Sequence, residues 1–188
     1  MRRTLLQRKQ INMSISTRKG DNGETDLMFG RRVAKNHPRI IALGAVDELN
    51  ALLGIVLTHC GDQSEIKERT VSIQNDLIVL MGEIGTLPED ISRYEEKGFN
   101  RFGIGKLEKI DQWISIIESK DIKIEGWALP GSSGLQLSAS LDHARVVCRR
   151  VERECTGLIN ELDPLILSYL NRLSDLFWLM ARESDLNS

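Results

Sequence analysis

Apolar residues recur at helical intervals along most of this chain and divide it into five stretches. PRIIALGAVDELNALLGIVLTHC, about 38–60, opens with Pro where a helix needs no N–H, and it is apolar on nearly every side. A helix like that must be covered all round, so it predicts contact with a second subunit as well as with its own core. SEIKERTVSIQNDLIVLMGEIGT, about 64–86, sets Ile66, Val71, Ile73, Leu77, Leu80, Met81 and Ile84 at mostly helical spacing. A polar stretch with Pro88 and several glycines follows, and then GKLEKIDQWISIIESK, about 105–120, with a stripe of Leu107, Ile110, Trp113, Ile114 and Ile117. The irregular segment IEGWALPGSSG precedes a fourth helix at about 135–162, and a fifth at about 164–184 has Asp163 as its cap and Pro164 at its first position. Strand-like alternation is scarce. The expected fold is all-α, a five-helix bundle of up-down, ferritin-like arrangement forming one domain over residues 16–186, behind a flexible tail of residues 1–15.

Composition narrows the partners. With 188 residues and a formal net charge of -2, the surface is balanced, so neither nucleic acid nor an anionic membrane is the expected partner and any anion site must be local. No apolar run is read as long enough to span a bilayer. Cys60, Cys148 and Cys155 are an odd set without CxxC spacing, which fits reduced thiols in a cytoplasmic protein better than a disulfide framework or a zinc site. The opening MRRTLLQRKQINM is basic but lacks a continuous apolar region and a small-residue cleavage site; it reads as a tail rather than a secretory signal or organelle leader, with Met13 an alternative start.

Four polar features have no obvious packing reason. STRKGDNGETDLMFG, residues 16–30, can turn successive backbone N–H groups toward an anion at Gly20 and Gly23, with hydroxyls from Thr17 and Thr25 and charge from Arg18, Lys19 and Lys35; it is also readable as an ordinary glycine-rich turn. It is not a Walker A loop, because GxxxxGK[ST] is absent. Arg145, Arg149, Glu152 and Arg153 share one helix face, either as an anion surface or as a solvated charged face. Asp47 sits in a greasy helix, where it either faces water or needs a partner, and Asn171 and Asp175 are either satisfied core groups or ligand contacts. His143 reads as a packed or hydrogen-bonded residue, since no histidine has the ExxH spacing of a di-iron bundle.

Taken together, TRKGDNGETDL with RRVAK, AVDELNALLG, ALPG with HARVVCRRVERE, and YLNRLSDLFWLMAR resemble the PduO-type ATP:corrinoid adenosyltransferases. The resemblance runs from about residue 16 to 182, with separate motifs in matching order. It implies a homotrimer with active sites between subunits, and transfer of the 5'-deoxyadenosyl group of ATP to the cobalt of cob(I)alamin with release of triphosphate. By motif position it implies ATP contacts from Thr17, Arg18, Lys19, Gly20, Asp21, Gly23, Thr25, Lys35, Arg149, Glu152, Arg153 and Asn171, with Mg2+ on the phosphate oxygens. Asp47 and Arg145 match a catalytic pair that meets across the subunit boundary beside the corrinoid, and Trp127 matches an aromatic wall under the ring where phenylalanine is usual. A reductase and a B12-dependent acceptor enzyme would be further partners. Glu24 and Asp26 depart from the pattern by placing acids in a phosphate loop, and the segment after ALPG is slightly long. Rival readings are a cofactor chaperone that binds ATP and corrinoid without chemistry, and a purely structural bundle.

Overall fold

The computed structural model describes residues 16, 18–120, 122 and 127–186; the tail of residues 1–15 and Thr17 lie outside the described residues. A short antiparallel hairpin comes first, β1 (Glu24–Asp26) paired with β2 (Arg32–Ala34) in the register Glu24 to Ala34, Thr25 to Val33 and Asp26 to Arg32. The remainder is helical: α1 (Pro38–His59), α2 (Ser64–Ile84), α3 (Ile91–Glu96), α4 (Ile104–Glu118), α5 (Gln136–Thr156) and α6 (Pro164–Leu186). Three expectations are corrected. The chain is mostly rather than wholly helical, because the hairpin interrupts the pattern; the described residues form six α-helices, since α3 forms in the stretch read as a polar connection; and α5 stops at Thr156, after which Gly157 opens a turn.

Local chemistry explains the helix ends. The His37 side chain accepts from Arg39 N at 3.2 Å at the start of α1, and Asp163 Oδ1 accepts from Leu165 N at 2.9 Å at the start of α6. At the C-terminal end of α2, the wholly buried Arg39 guanidinium donates to Ile84 O and Thr86 O, both at 2.8 Å, and to Glu161 at 2.8 Å. One cation thereby satisfies the last carbonyl of α2 and one in the turn just beyond it, and ties α1 to α2 and to the turn between α5 and α6.

The pairings fix helix directions. Glu48 of α1 pairs with Arg150 of α5, and His59 is 2.9 Å from Ser140, so α1 and α5 are antiparallel. Cys148 Sγ contacts Leu170 O and Asp142 pairs with Arg182, which makes α5 and α6 antiparallel. Asp111 pairs with Arg172 and Lys120 with Glu183, so α4 runs parallel to α6. The core lies between these helices, built from Val46, Leu49, Leu53, Ile73, Leu77, Leu80, Leu141, Val151, Leu173 and Phe177, all fully buried. Two buried carboxylates fasten α4: Asp76 accepts from Lys106 at 2.7 Å, Lys109 at 2.8 Å and the Tyr169 hydroxyl at 3.3 Å, while Glu183 accepts from Arg69 and Lys120, both at 2.6 Å. Charges at such depth need partners of this kind. Cys60, Cys148 and Cys155 are free and buried, and burial pushes all three thiols up, Cys155 to about 12.

One expectation about length is also corrected. At 22 residues, with a mean hydropathy of 1.9 over its most apolar window, α1 is long and apolar enough to cross a membrane. In the fold it packs on α2 and α5 along one side. Its other side exposes a stripe of Ile41, Gly44, Asp47, Ala51, Ile55 and Thr58.

Candidate functional site

The hairpin presents a cationic loop at its open end. Residues 18–23 lead into β1 and Lys35 leaves β2, so the register that sets Ala34 opposite Glu24 also sets Lys35 beside the loop. Lys35 N–H donates to Gly23 O at 2.8 Å, and its ammonium stands over Gly20, where an added Cβ would lie 3.2 Å from Nζ and 3.3 Å from Cε. Asp21 N–H donates to Arg18 O at 3.4 Å and Gly23 N–H to Gly20 O at 3.3 Å, closing two tight turns. Gly23 has φ +80°, which glycine adopts freely; Arg18 has φ +56°, which residues with a side chain adopt rarely.

The two acids that seemed out of place in this loop have a structural partner. Arg32 pairs with Glu24 at 3.2 Å and with Asp26 at 3.4 Å, and its Nη2 donates to Lys19 O at 3.0 Å. Strand alternation puts Glu24 and Asp26 on one face and the half-buried Thr25 on the other. Arg18, Lys19 and Lys35 have no carboxylate partner among the described residues, and Asp21 is exposed.

A second polar surface runs along α5 and α6. Asn171 Nδ2 donates to Glu152 Oε1 at 3.2 Å, and Arg153 Nη1 donates to Arg149 O at 3.0 Å. The exposed Arg149 and Arg153 have no carboxylate partner among the described residues. Asn171 and Asp175 are both exposed, so the reading of them as core groups is set aside. Within one chain no hydrogen bond or ion pair among the described residues joins this row to the loop at 18–23.

Asp47 and Arg145 are not brought together in the protomer. Glu48 opposite Arg150 and His59 opposite Ser140 put Arg145 level with about residue 53 of α1, some six residues, or roughly 9 Å at the α-helical rise, from Asp47. Asp47 is exposed and has no partner among the described residues, whereas Arg145 Nε is 3.5 Å from Asp142 of its own helix. Arg145 lines a cleft of about 500 Å³ with Trp127, Ala128, Asp142 and Trp178. Trp127 is 95% exposed there and so is not a core residue anchoring its loop. His143 is likewise exposed rather than packed.

Three residues of this surface were not singled out in the sequence. Trp178 lines the same cleft as Trp127, and the signal for it was an indole among aliphatic side chains in LSDLFWLMAR. Asp142 is 3% exposed and accepts from Arg182 at 2.8 Å; Arg182 in turn donates to Ser138 at 3.1 Å and pairs with Asp185 at 3.1 Å. No sequence spacing links residues 142 and 182, because the antiparallel packing of α5 and α6 creates that contact.

Comparison with known proteins bears on this arrangement. The cobalamin adenosyltransferase family model matches residues 15–184. A cobalamin adenosyltransferase from Cupriavidus metallidurans is 35% identical over 170 residues, covering 89% of this chain and 86% of the relative. A corrinoid adenosyltransferase from Mycobacterium leprae is 34% identical over 173 residues, covering 89% of each chain. The fold superposes with a TM-score of 0.81 and 28% identity on a point variant of a PduO-type ATP:corrinoid adenosyltransferase from Lactobacillus reuteri complexed with cobalamin and ATP, covering 92% of this chain and 91% of that one. With a match along nearly its whole length and with the fold in agreement, the chain belongs to the cobalamin adenosyltransferase family.

Proposed function

We propose that this protein transfers the 5'-deoxyadenosyl group of ATP to cob(I)alamin, forming adenosylcobalamin and releasing triphosphate, at sites built between the subunits of a homotrimer. The observation that carries the reading is unpaired positive charge: Arg18, Lys19 and Lys35 on the loop and Arg149 and Arg153 on α5 lack carboxylate partners among the described residues, in a chain whose net charge is -2. Cations kept free on a balanced surface suit a polyanion that arrives with the substrate.

In this reading the cobalt is the nucleophile, so the chain needs no activated side chain. Its electron pair forms the Co–C5' bond as the C5'–O bond breaks, and the pair from that bond leaves on triphosphate. The protein's part is to orient the ribose carbon and to stabilise the departing charge. The loop, with Thr17, Thr25 and Lys35, grips the phosphates of ATP, while Arg149, Glu152, Arg153 and Asn171 of a neighbouring subunit complete the nucleotide site. Among the described residues no group of three or more metal-ligating side chains stands together, and Arg32 engages Glu24 and Asp26, leaving Asp21 as the loop's unpaired carboxylate. That set fits Mg2+ held chiefly by phosphate oxygens.

The offset of about six residues between Asp47 and Arg145 supports pairing across subunits rather than within one. It also gives the exposed apolar stripe of α1 an occupant, the next protomer. Trp127 and Trp178 supply an apolar wall that keeps water from the lower face of the corrinoid. Free, buried thiols accord with a cytoplasmic location.

The test is anaerobic mixing of chemically reduced cobalamin with MgATP and the protein, followed by the absorbance change of alkylcobalt formation and assay of triphosphate. One triphosphate per adenosylcobalamin is expected. An ATP-dependent rise in melting temperature with no spectral change would favour the chaperone reading, and neither effect would favour a structural bundle.

A further inference from the structure

The closed end of the hairpin is held in an unusual way. Phe29, in its turn, has φ +61° and ψ +20°, a left-handed conformation that bulky residues avoid. Such a conformation persists where surrounding contacts over-determine it. Here there are three. Met28 N–H donates to Gly85 O at 2.8 Å just beyond α2. The Phe29 ring lies under the Arg93 guanidinium, 4.4 Å from centroid to Cζ. Arg31 grips Asp90 with two bonds, Nε to Oδ2 at 2.6 Å and Nη2 to Oδ1 at 2.9 Å. A planar fork on a carboxylate fixes direction as well as distance.

All the anchoring groups belong to the end of α2 and the segment from Pro88 through α3, the stretch that reads in sequence as a mere separator. The anchors grip one end of the hairpin, and the cationic loop and Lys35 occupy the other, about 10 Å away at the strand rise. The hairpin is only three residue pairs long and would not hold its own orientation in water.

We infer that Asp90 and Arg93 are positioning residues for the nucleotide: by clamping the strained turn at Phe29 they hold the distant phosphate loop in its binding geometry before ATP arrives. This rests on the adenosyltransferase reading for the identity of the ligand. A preformed loop gives up less freedom on binding, so the clamp acts on nucleotide affinity and leaves the corrinoid cleft, built from α5, α6 and the Trp127 segment, untouched.

The experiment uses the full chain with Asp90→Asn, Arg93→Ala and the reversed pair Arg31→Asp with Asp90→Arg. Amide hydrogen exchange at Met28 and Lys35, MgATP affinity by calorimetry, cob(II)alamin affinity and steady-state kinetics are compared with wild type. Both single variants should exchange at least tenfold faster at those amides and bind MgATP at least tenfold more weakly, with cob(II)alamin affinity and kcat at saturating ATP within about threefold; the reversed pair should recover most of the MgATP affinity. Wild-type exchange and MgATP affinity in both single variants would overturn the clamp. So would equal losses for nucleotide and corrinoid alongside a large fall in Tm, since Asp90 would then merely support the fold. A wild-type chain that ignores MgATP but shows the faster exchange in the variants would instead overturn the choice of nucleotide as ligand, a result distinguishable from the other two.

Discussion

Gly20→Ala separates binding from stability in a way that the loop geometry makes quantitative. Gly20 lacks a positive φ, so alanine meets no backbone penalty there, and the narrower unfolded ensemble of alanine favours folding by about 0.4–1 kcal/mol. The added methyl would lie 3.2 Å from Lys35 Nζ and 3.3 Å from Cε, with Glu24 O at 3.4 Å. The ammonium is the flexible end of a long side chain and can retreat by a few tenths of an ångström at little cost in stability. Its retreat matters only to a bound anion. Full loss of a charged hydrogen bond to phosphate is worth about 1.5–3 kcal/mol, or roughly 10- to 150-fold in Kd, so that range is the upper limit for the variant. Gly23→Ala is the control of opposite sense: nothing crowds its Cβ, but φ of +80° costs an L-residue about 1–2 kcal/mol. Calorimetric titration with MgATP and thermal unfolding of both variants give four numbers. The expected pattern is weak binding with an unchanged or raised Tm for Gly20→Ala, and a lowered Tm for Gly23→Ala. Wild-type MgATP affinity in Gly20→Ala, together with wild-type affinity in Lys35→Ala, would refute the assignment of Lys35 to the phosphates.

Asp47→Asn and Arg145→Ala should each lower turnover at least tenfold while changing MgATP affinity less than threefold, and the double variant should fall short of the summed effects, as measured by steady-state kinetics in a double-mutant cycle. Arg39→Met leaves Ile84 O and Thr86 O without their buried donor and should destabilise the fold by about 2–5 kcal/mol, lowering Tm by roughly 10 °C in a domain of this size, as read by calorimetry. The Arg31 hydrogen bond holds the Asp90 carboxyl below its ordinary range, so this pair's contribution is fully present above an unfolded aspartate's pKa of about 3.9 and disappears as pH falls through the lower folded value. The Tm difference between wild type and Asp90→Asn should accordingly be constant near neutrality and close toward zero under acid.

Helical periodicity located the five long helices because four keep an apolar stripe and α1 is one long apolar run opened by proline, and the caps at Pro38 and Asp163 are local signals. It missed α3, six residues with Tyr94 as its one buried side chain, too short for a period to show. The hairpin escaped notice for the same reason, since three residues per strand give no alternation to read. Site residues were legible where they cluster along one helix, as Arg149, Glu152 and Arg153 do on α5. Contacts between distant segments were not: Arg31 with Asp90, Lys35 over Gly20 and Asp142 with Arg182 exist only because the tertiary fold brings those segments together. The composition of α1 announced its unpartnered face, but the register that keeps Asp47 from Arg145 needed the packed helices.

The sealed cysteines have a practical consequence. Because Cys60, Cys148 and Cys155 are enclosed and held protonated, the wild-type protein is a silent background for maleimide chemistry. A single cysteine placed at the exposed Ser119, just past α4 and off the α1 stripe given to the next protomer, would be the one fast-reacting handle, and dyes attached there would report by energy transfer when chains come together.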